Sequence, residues 1–343
     1  MFKNKCVLIT GAAGTIGTAL AHHVLAGQPK KIILLDTAET PLYDLEQALN
    51  YENNELTGIQ YVLGSITNTI LVDKLLSENT VDILFHAAAY KHVPIIEKYP
   101  LEGVHVNSIG TKQLADSALK FKVKTFVFIS TDKAVNPSSV MGATKLLAEN
   151  YIRSLSKIPS NTTRFVVVRF GNIIDSNGSV IPLFKAQLKQ NKALTITHKK
   201  ASRYFISVSK VVSLVSISLD FARSGEMLLF EMGNAQSIYD IAKTTVENVG
   251  LKVEDVSIKT TGLRPGEKLH EELLRSDESI ETTVHPEIYV VNSPLKTDLT
   301  LLNNVFKQLE NAVAIYDTKA AVKTLKTALK TYKSKNSEYS ALD

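Results

Sequence analysis

The sequence of 343 residues contains a single cysteine, Cys6. One cysteine excludes an internal disulfide and a cysteine-based zinc site, and it suits a reducing cytoplasm. Cys6 lies in the first apolar run, so we expect it to be a small buried core residue. The eight histidines have no metal-ligand spacing with carboxylates, and we therefore expect no metal site.

Long apolar runs are also absent. A spanning helix needs about 18 or more apolar residues in succession. The best candidate, residues 205–221, is interrupted by Lys210. Met1 stands shortly before an apolar run and a glycine-rich loop, so we expect no signal peptide. The sequence therefore predicts a cytoplasmic protein with no stable membrane insertion.

The charges are nearly balanced, with a formal net charge of +5 and 21% charged residues. No basic patch is interleaved with aromatic residues, so nucleic acid is not expected as a partner, whereas a mild positive charge suits a small anionic substrate. The hydrophobic fraction of 44% is ordinary for a globular protein. The length allows one large domain with an appendage, or two modest domains.

A glycine-rich loop, Gly11-Ala12-Ala13-Gly14-Thr15-Ile16-Gly17, separates an apolar run at residues 5–10 from a predicted helix at residues 18–26. Small residues let the backbone approach a pyrophosphate, and the helix N-terminus supplies free amides. A second apolar run ends in Asp36, 19 residues after Gly17, where a carboxylate meets the adenosine ribose. An acid there repels a 2′-phosphate, so the order of these elements predicts NAD. The candidate cofactor contacts are Gly11, Gly14, Thr15, Ile16, Gly17 and Asp36.

Strands and helices then alternate, which predicts an α/β fold with a Rossmann-type doubly wound parallel sheet. The predicted elements are strands at 31–35, 59–63, 81–86, 125–129 and 164–169, and helices at 69–77 and 100–121. Further candidate cofactor contacts follow these strands or lie in the second helix. They are Ser65, Ile66, Ala87, Ala88, Ala89 and Asn107.

Beyond Gly171 the predicted elements are shorter, which indicates a smaller α/β lobe folded over the open edge of the sheet. We predict helices at 181–189, 209–221, 238–249 and 269–274, a strand at 193–197 and a charged loop at 261–267. The expected organisation is an NAD-binding domain at 1–170, an interleaved substrate lobe at 171–295 and a helical tail at 296–343.

The tail is rich in lysine over its last part, at Lys319, Lys323, Lys326, Lys330, Lys333 and Lys335. Such a run suits the solvated face of a packing helix, and less well a contact with an acidic membrane or partner.

An acid and an amine, Asp132 and Lys133, stand side by side after the apolar run 125–129. The carboxyl ends of parallel strands form the edge at which open α/β sheets bind ligands. The sequence therefore predicts a chemically active pair at a strand tip, preceded by Thr131.

Met141 and Lys145 lie one helical turn apart in the next predicted helix, so both side chains can face one site. Short-chain dehydrogenases commonly carry Tyr-x-x-x-Lys at such a place, and here the tyrosine is replaced by Met141. Because a thioether has no proton to exchange, the proton chemistry must lie elsewhere.

A set of motifs along residues 3–290 resembles the UDP-N-acetylglucosamine 4,6-dehydratases, which are extended short-chain dehydrogenase/reductases of bacterial polysaccharide and glycan biosynthesis. The likeness is greatest to the catalytic portion of the branch that carries Met. Besides the glycine loop, the motifs are Phe85-His86-Ala87-Ala88-Ala89-Tyr90-Lys91-His92-Val93-Pro94, Ser130-Thr131-Asp132-Lys133-Ala134-Val135-Asn136-Pro137, Met141-Gly142-Ala143-Thr144-Lys145, Arg169-Phe170-Gly171-Asn172 and Leu263-Arg264-Pro265-Gly266-Glu267-Lys268-Leu269-His270-Glu271-Glu272.

The resemblance implies oxidation of the sugar at C4 by NAD, elimination of water across C5 and C6, and reduction at C6, with retention at C5. It implies that Asp132 protonates the leaving C6 hydroxyl and that Lys133 takes the C5 proton, which requires a partly neutral Lys133 and a partly protonated Asp132. Lys145 is expected to bind the nicotinamide ribose, with Met141 filling space beside the ring. The C4 proton can go to Thr131, to Asp132 or to water, and we favour Asp132 with Thr131 as its partner.

The resemblance also implies a UDP-hexosamine site beneath the second lobe. Lys91 and His92 are placed to reach the sugar or the phosphates, and Glu267 to bind the uridine ribose. Backbone groups from Thr195 to Thr197 are expected at the uracil. The residues matched to positions around the diphosphate are Asn172, Lys185, Arg203 and Arg264. His86, inside a strand, is expected to be an ordinary buried histidine.

Two other functions remain open. A UDP-hexosamine C4 epimerase shares the fold, the cofactor and the first oxidation, but it needs no acid–base pair for C5 and C6. A non-enzymatic NAD-sensing regulator would explain the missing tyrosine, although the retained Lys145, Asp132 and 264–267 loop argue against it. The resemblance further implies a homo-oligomer assembled through helices that flank the site.

Overall fold

A computed structural model describes residues 1–52, 58–294 and 298–343. The predicted boundary between residues 295 and 296 lies outside the described residues. The strands are β1 Cys6–Thr10, β2 Lys31–Asp36, β3 Ile59–Leu63, β4 Ile83–His86, β5 Thr125–Ile129, β6 Arg164–Arg169, β7 Asn172–Ile173, β8 Leu194–Ile196, β9 Ser202–Arg203, β10 Phe205–Ile206, β11 Met227–Phe230, β12 Gln236–Ser237, β13 Ile258–Thr260, β14 Ser279–Thr282 and β15 Ile288–Asn292.

The helices pack on both faces of the main sheet and in the smaller lobe. They are α1 Thr15–Ala26, α2 Glu39–Glu52, α3 Thr69–Glu78, α4 Val93–Lys98, α5 Pro100–Gly103, α6 Thr111–Lys120, α7 Val140–Leu155, α8 Val180–Lys189, α9 Val208–Ser218, α10 Ile238–Asn248, α11 Leu299–Ala314 and α12 Thr318–Ala328. A π-helical segment, Val104–Gly110, joins α5 to α6, so the predicted helix at 100–121 contains a widened turn. Single 3₁₀ turns occur at Asp132–Ala134, Val253–Asp255 and Glu338–Leu342.

The main sheet has nine strands in the order β14-β15-β11-β6-β5-β4-β1-β2-β3. The strands from β3 to β11 are parallel, and β15 and β14 continue the sheet in antiparallel fashion. The predicted Rossmann-type α/β fold is confirmed. The strands of the second half that extend this sheet, β11, β14 and β15, were not predicted.

Apolar side chains bury both faces of the sheet. One core lies between the sheet and α3, α6, α7, α11 and α12, and a second lies between the sheet and α1, α2 and α9. A third, smaller core holds the second lobe together around Phe184, Phe205 and Ile238. Cys6 is buried in the first core, as predicted. The lobe is thus a separately packed unit that can form the opposite wall of a cleft.

The predicted helix at 269–274 is wrong. Residues 269–274, all of which the structure describes, run in irregular and bridging backbone instead. Arg203 explains the difference, because its guanidinium donates to the carbonyl oxygens of Lys268 and Leu269. The Leu269 carbonyl also accepts from the Ser202 amide, so it is engaged outside any helical ladder.

The tail forms two helices, α11 and α12, separated by a turn at Tyr316, which has a positive φ of 55°. Five of the six tail lysines are exposed, as a solvated face requires. Lys326 is the exception, because it is buried and bonded to Ser334 and Asp343. Both helices pack against the core side of α7. None of the described helices is long and apolar enough to cross a membrane.

Candidate active site

A cleft of about 900 Å³ opens at the carboxyl ends of the central strands, between the sheet and the smaller lobe. This is the edge where parallel α/β sheets place their ligands. The sheet side contributes the glycine loop, the segments after β4 and β5, and the start of α7. The lobe side contributes residues around Thr195, Arg203 and the 264–267 turn.

The glycine loop leaves no room for side chains. A Cβ at Gly11 would lie 2.6 Å from the Ala88 amide nitrogen, and one at Gly17 would lie 2.0 Å from the Gly11 carbonyl oxygen. Gly11 also has a φ of +69°, which favours glycine. Helix α1 begins at Thr15, earlier than predicted, and its N-cap Gly14 makes no side-chain cap. The first amides of α1 therefore face the cleft in a form suited to a pyrophosphate.

The remaining cofactor candidates divide into two groups. In the described part of the chain, Thr15, Ile16, Ala87, Ala89 and Lys145 line the cleft together with Gly11, Gly14 and Gly17. Asp36, Ser65, Ile66, Ala88 and Asn107, all within the described residues, are not among those that line it.

Asp36 lies at the tip of β2 and orients the glycine loop. Its Oδ2 accepts from the Ala13 amide at 2.9 Å, and its Oδ1 accepts from the Ala38 amide. Asn107 sits in the π-helical segment, where its amide side chain bonds both main-chain groups of Tyr90. These contacts give Asp36 and Asn107 a role in holding the loops that line the cleft.

Lys133 lines the cleft just after β5, and the side chain of the adjacent Asp132 is fully buried beside it. The Lys133 Nζ donates to the Asp132 Oδ1 at 3.0 Å and to the Asn172 Oδ1 at 2.8 Å. The Thr131 hydroxyl donates to the same Asp132 Oδ1 at 2.9 Å. The Asp132 Oδ2 is buried and has no hydrogen-bond partner among the described residues. The pair is thus coupled to Thr131 and retains one free acceptor.

Glu271 is a third ionisable group of this corner, and sequence reasoning did not assign it a role. Its side chain lines the cleft but is only 5% exposed. Its Oε1 lies 3.8 Å from the Arg203 Nε, and its Oε2 has no hydrogen-bond partner within the described residues. It was missed because the segment around it reads as a helix.

The charge state of Lys133 differs from the expectation. Burial alone would lower the pKa of Lys133, but the Asp132 and Glu271 carboxylates outweigh burial and raise the pKa. Burial raises the pKa of Glu271, with Lys133 acting in the opposite direction. The raised pKa favours the charged form of Lys133 in the free protein, opposite to the partly neutral amine that the resemblance implies.

Lys145 occupies a different environment on α7, which is capped by Ser139. Its Nζ donates to the Ile129 carbonyl oxygen at 2.7 Å and lies 3.9 Å from the centre of the Phe128 ring. Burial lowers the pKa of Lys145 to about 7, and the Glu149 carboxylate opposes the shift. Met141 lines the same cleft one turn earlier, so the predicted shared face is confirmed.

The lobe side of the cleft brings together most of the predicted substrate residues. Arg203 donates to the Glu267 Oε1 at 3.0 Å, and Thr197 donates to the same oxygen. Arg264 lies 3.3 Å from the Glu267 Oε2. The Glu267 carboxylate is thus already engaged by these three side chains. The Thr195 amide is also occupied, since it donates to the Gln187 side chain.

Lys91 and His92 line the mouth of the cleft. Partial burial and the nearby Lys133 lower the pKa of Lys91. Lys185 lies outside the described cleft wall and pairs instead with Asp175 at 3.3 Å on the surface. The structure thus places Lys91 and His92 at the site and Lys185 away from it.

His86 is a buried histidine with both ring nitrogens satisfied, as predicted. Its Nδ1 bonds the Thr10 hydroxyl and its Nε2 bonds the Thr111 hydroxyl, each at 2.8 Å. No cluster of potential metal ligands occurs within residues 1–52, 58–294 and 298–343.

Comparison with known proteins identifies the family. The sequence profile of a family described as polysaccharide biosynthesis protein matches residues 7–293. The chain belongs to this family. Its sheet and cleft are those of the extended short-chain dehydrogenase/reductases, in agreement with the resemblance noted in the sequence.

The similar proteins include both dehydratases and epimerases. The chain is 42% identical over 301 residues to the capsular polysaccharide biosynthesis protein CapD of Staphylococcus aureus, covering 87% of this chain and 50% of CapD. It is 35% identical to a UDP-glucose 4-epimerase of Rickettsia canadensis, covering 81% of this chain and 80% of that protein. It is 32% identical to an inverting UDP-N-acetylglucosamine 4,6-dehydratase of Campylobacter jejuni, covering 86% of this chain and 85% of that protein. The chain thus spans about half the length of CapD.

Solved structures agree in fold. Pen from Bacillus thuringiensis superposes with a TM-score of 0.79 at 36% identity, covering 86% of this chain and 91% of Pen. The dTDP-glucose 4,6-dehydratase DesIV of Streptomyces venezuelae, solved with NAD bound, has a TM-score of 0.67 at 20% identity, covering 78% of this chain and 88% of DesIV. The chain is therefore related to sugar-nucleotide dehydratases and epimerases of polysaccharide biosynthesis.

Proposed function

We propose that this protein is an NAD-dependent dehydratase that converts UDP-N-acetylglucosamine to UDP-2-acetamido-2,6-dideoxy-hexos-4-ulose for bacterial surface polysaccharide or glycan synthesis. The observation that carries the proposal is the Asp132–Lys133 pair, an acid and a base 3.0 Å apart at the strand tip beside Lys145. Elimination across C5 and C6 needs such a pair, whereas C4 epimerisation does not.

The glycine loop supports NAD as the cofactor. A Cβ at Gly11 or Gly17 would collide with neighbouring backbone atoms, so glycine keeps this loop tight, and the α1 amides suit the pyrophosphate. We assign the adenosine ribose to Asp36, at the end of β2, and the nicotinamide ribose to Lys145. When bound, NAD would oxidise the sugar at C4 and later reduce it at C6, so that no net redox change occurs.

The C4 proton can reach Asp132 without a tyrosine. The Thr131 hydroxyl donates to the Asp132 Oδ1, and the Asp132 Oδ2 is free to accept. Thr131 lines the cleft whereas the Asp132 side chain is fully buried, so a proton released from the C4 hydroxyl can pass to Asp132 through Thr131. Protonated Asp132 can then return this proton through Thr131 to the departing C6 hydroxyl, which leaves as water. One proton travels from O4 to O6, and Asp132 returns to its starting state.

Lys133 must lose a proton before it can accept one from C5. We assign the storage of that proton to Glu271, whose Oε2 is unpartnered and whose pKa burial raises. Neutral Lys133 then removes the C5 proton, the resulting ammonium exchanges its protons with water, and Lys133 later returns a proton to C5. Because the same amine acts from one face in both steps, the scheme predicts retention at C5 and, in deuterated water, deuterium at that carbon.

The lobe side of the cleft supports a UDP-sugar as the substrate. Arg203 and Arg264 on the lobe side and Lys91 on the sheet side all line the cleft, and cationic groups of this kind suit a diphosphate. Asn172 joins that region to the catalytic pair through Lys133. Lys185 is not part of this proposal, because it pairs with Asp175 away from the cleft.

Product analysis in deuterated water tests the proposal. Purified protein incubated with UDP-N-acetylglucosamine and no added reductant is expected to give a 4-keto-6-deoxy sugar with deuterium at C5, detected by NMR. Lys133→Met should abolish deuterium incorporation, whereas Lys98→Met, at an exposed position on α4, should not change it. Failure of the unaltered protein to turn over any UDP-hexosamine would refute the proposal and would favour the regulatory alternative.

A UDP-hexosamine 4-epimerase is the second candidate. The 35% identity to a Rickettsia UDP-glucose 4-epimerase, over 80% of that protein, favours it. The same NMR experiment separates the two, because an epimerase would yield only the C4 epimer and no deuterium at C5.

A further inference from the structure

Residues 298–343 follow the matched family region, which ends at residue 293, yet they contact the catalytic helix. Helix α11 packs on α7, where the Phe306 ring meets the edge of the Tyr151 ring at 5.0 Å. Helix α12 packs on α5 and α7. These contacts fix the direction in which the chain continues after α12.

Residues 333–337, here called the bridging segment, then run between two loops of the cleft. The Lys333 amide donates to the Pro137 carbonyl at 3.0 Å, and the Lys335 amide donates to the Ser138 carbonyl at 3.2 Å. On its other side, the Lys335 carbonyl accepts from the Gly266 amide at 2.7 Å. The bridging segment therefore joins the start of α7 to the 264–267 turn through main-chain hydrogen bonds.

Glu97 on α4 contacts both the start of α7 and the bridging segment. Its Oε1 accepts from the Val140 amide, and its Oε2 accepts from the Ser337 hydroxyl, each at 2.6 Å. Glu97 is only 5% exposed, so its carboxylate depends on these donors for the solvation that burial removes. One carboxylate thus holds the N-terminus of α7 and the bridging segment together.

The 264–267 turn packs directly on this contact. Gly266 has a φ of +75°, and a Cβ there would lie 2.7 Å from the Ser139 Cβ and 3.1 Å from the Glu97 Cδ. The Gly266 carbonyl also accepts from the Ser138 hydroxyl at 2.8 Å. Since Gly266 lies between Arg264 and Glu267, which both line the cleft, its position sets theirs.

We propose that the bridging segment, held by the Ser337–Glu97 hydrogen bond, positions the 264–267 turn and thereby sets the affinity of the cleft for a nucleoside diphosphate. Ser337 and Glu97 are positioning residues in this scheme, because neither lines the described cleft wall. The nucleotide part rests on the proposed function, in which Arg264 and Glu267 bind the UDP moiety.

Ser337→Ala tests the proposal, since it removes the donor and leaves the Glu97 Oε2 unpaired. Losing one hydrogen bond to a charged acceptor should weaken UDP binding about tenfold, measured by calorimetry. The KM for UDP-N-acetylglucosamine should rise by a similar factor, and kcat should change by less than about twofold. Hydrogen exchange at residues 262–268 and 138–142 should become faster, while exchange in β1 and β4 should not.

Ser340→Ala is the matched control. The Ser340 hydroxyl is exposed and donates to the Ser334 carbonyl at 3.4 Å, so its loss leaves the Glu97 contact intact. This variant should retain UDP affinity and unaltered exchange at residues 262–268.

Three results would overturn the proposal in distinguishable ways. Unaltered exchange at residues 262–268 in Ser337→Ala would show that the bridging segment does not position the turn. Faster exchange with unaltered UDP affinity would show that the turn does not set nucleotide binding. Absence of UDP binding by the unaltered protein would refute the nucleotide role and the proposed substrate, while the exchange comparison would still decide whether the segment positions the turn.

Discussion

Two lysines of one cleft, Lys133 and Lys145, have opposite electrostatic environments. The pKa of Lys133 is raised, because the carboxylates of Asp132 and Glu271 outweigh its burial. The pKa of Lys145 is lowered to about 7, because burial dominates and the carboxylate of Glu149 only partly opposes it. Neighbouring carboxylates, more than depth in the protein, therefore decide which lysine is charged.

The difference matches two different tasks. Lys133 must exchange a proton with carbon, so it needs an acceptor nearby that can relieve it of charge, and Glu271 offers one. Lys145 donates to a backbone carbonyl and lies over an aromatic ring, and no described carboxylate forms an ion pair with it. It can change charge near neutral pH without a partner.

Among the substitutions considered for this cleft, removal of the Lys145 amine should reduce turnover the most. We expect Lys145→Met to reduce turnover of UDP-N-acetylglucosamine by at least about 100-fold, because Lys145 is the amine assigned to the nicotinamide ribose and the pKa of Lys133 is raised rather than lowered. The measurement is the initial rate of 4-keto product formation, with Lys98→Met as the control. A rate within about threefold of the unaltered protein would remove Lys145 from the proposed machinery.

The effect of Lys145→Met on thermal stability should also change with pH in a defined direction. The folded pKa of Lys145 is about 7, below its usual value of 10.5. The unfolded chain therefore binds more protons between these values, and the unaltered protein gains stability as pH rises through that window. Lys145→Met lacks the titrating amine and so should not show this gain. The Tm of Lys145→Met minus the Tm of the unaltered protein should therefore be greatest near neutral pH and should shrink as pH approaches 10.

Glu271→Gln should have an intermediate effect. Without this carboxylate the pKa of Lys133 should fall, but the surplus proton has no store, so kcat should drop about 10- to 100-fold. Glu272→Gln is the matched control, since Glu272 is 46% exposed and pairs with Lys268. An unaltered kcat in Glu271→Gln would remove Glu271 from the proton scheme.

The stability of Glu271→Gln supplies a second readout. The folded pKa of Glu271 is raised, so the folded protein holds a proton that the unfolded chain releases, and that stabilisation is lost as pH rises through the folded value. We therefore expect the Tm of the variant minus the Tm of the unaltered protein to be more positive at pH 8 than at pH 4, measured by thermal unfolding.

Met141→Tyr should have the smallest effect. If Asp132 and Thr131 carry the C4 proton, a phenol at position 141 adds a redundant route, and turnover should stay within about threefold. A large gain in initial rate would contradict this route and would show that the missing tyrosine limits the reaction.

Local patterns predicted the sheet well. The bounds of β3, β5 and β6 agree with those expected, because short runs rich in apolar residues specify strands without distant partners, whether buried as in β5 and β6 or partly exposed as in β3. The strand-tip position of Asp132 and Lys133 follows from the same reasoning. These features depend on residues close together in the sequence.

The features that were missed depend on distant residues. The pKa of Lys133 is raised by Asp132 and also by the distant Glu271. The backbone around Glu271 is irregular because Arg203 binds the carbonyls of Lys268 and Leu269. The contact between Glu97 and Ser337 joins residues separated by 240 positions. Contacts between residues so far apart in the sequence leave no local sequence pattern. The sequence therefore predicted the location of the site better than its electrostatics.

The packing of α11 and α12 on α7 has a consequence for how the protein behaves on dilution. Almost every residue of α7 is buried within its own chain. Contacts of this kind are intramolecular, so they do not weaken as the protein concentration falls, unlike contacts that a second subunit would supply. The predicted homo-oligomer would have to form on another face, and the support behind Lys145 would persist in a single chain at any concentration.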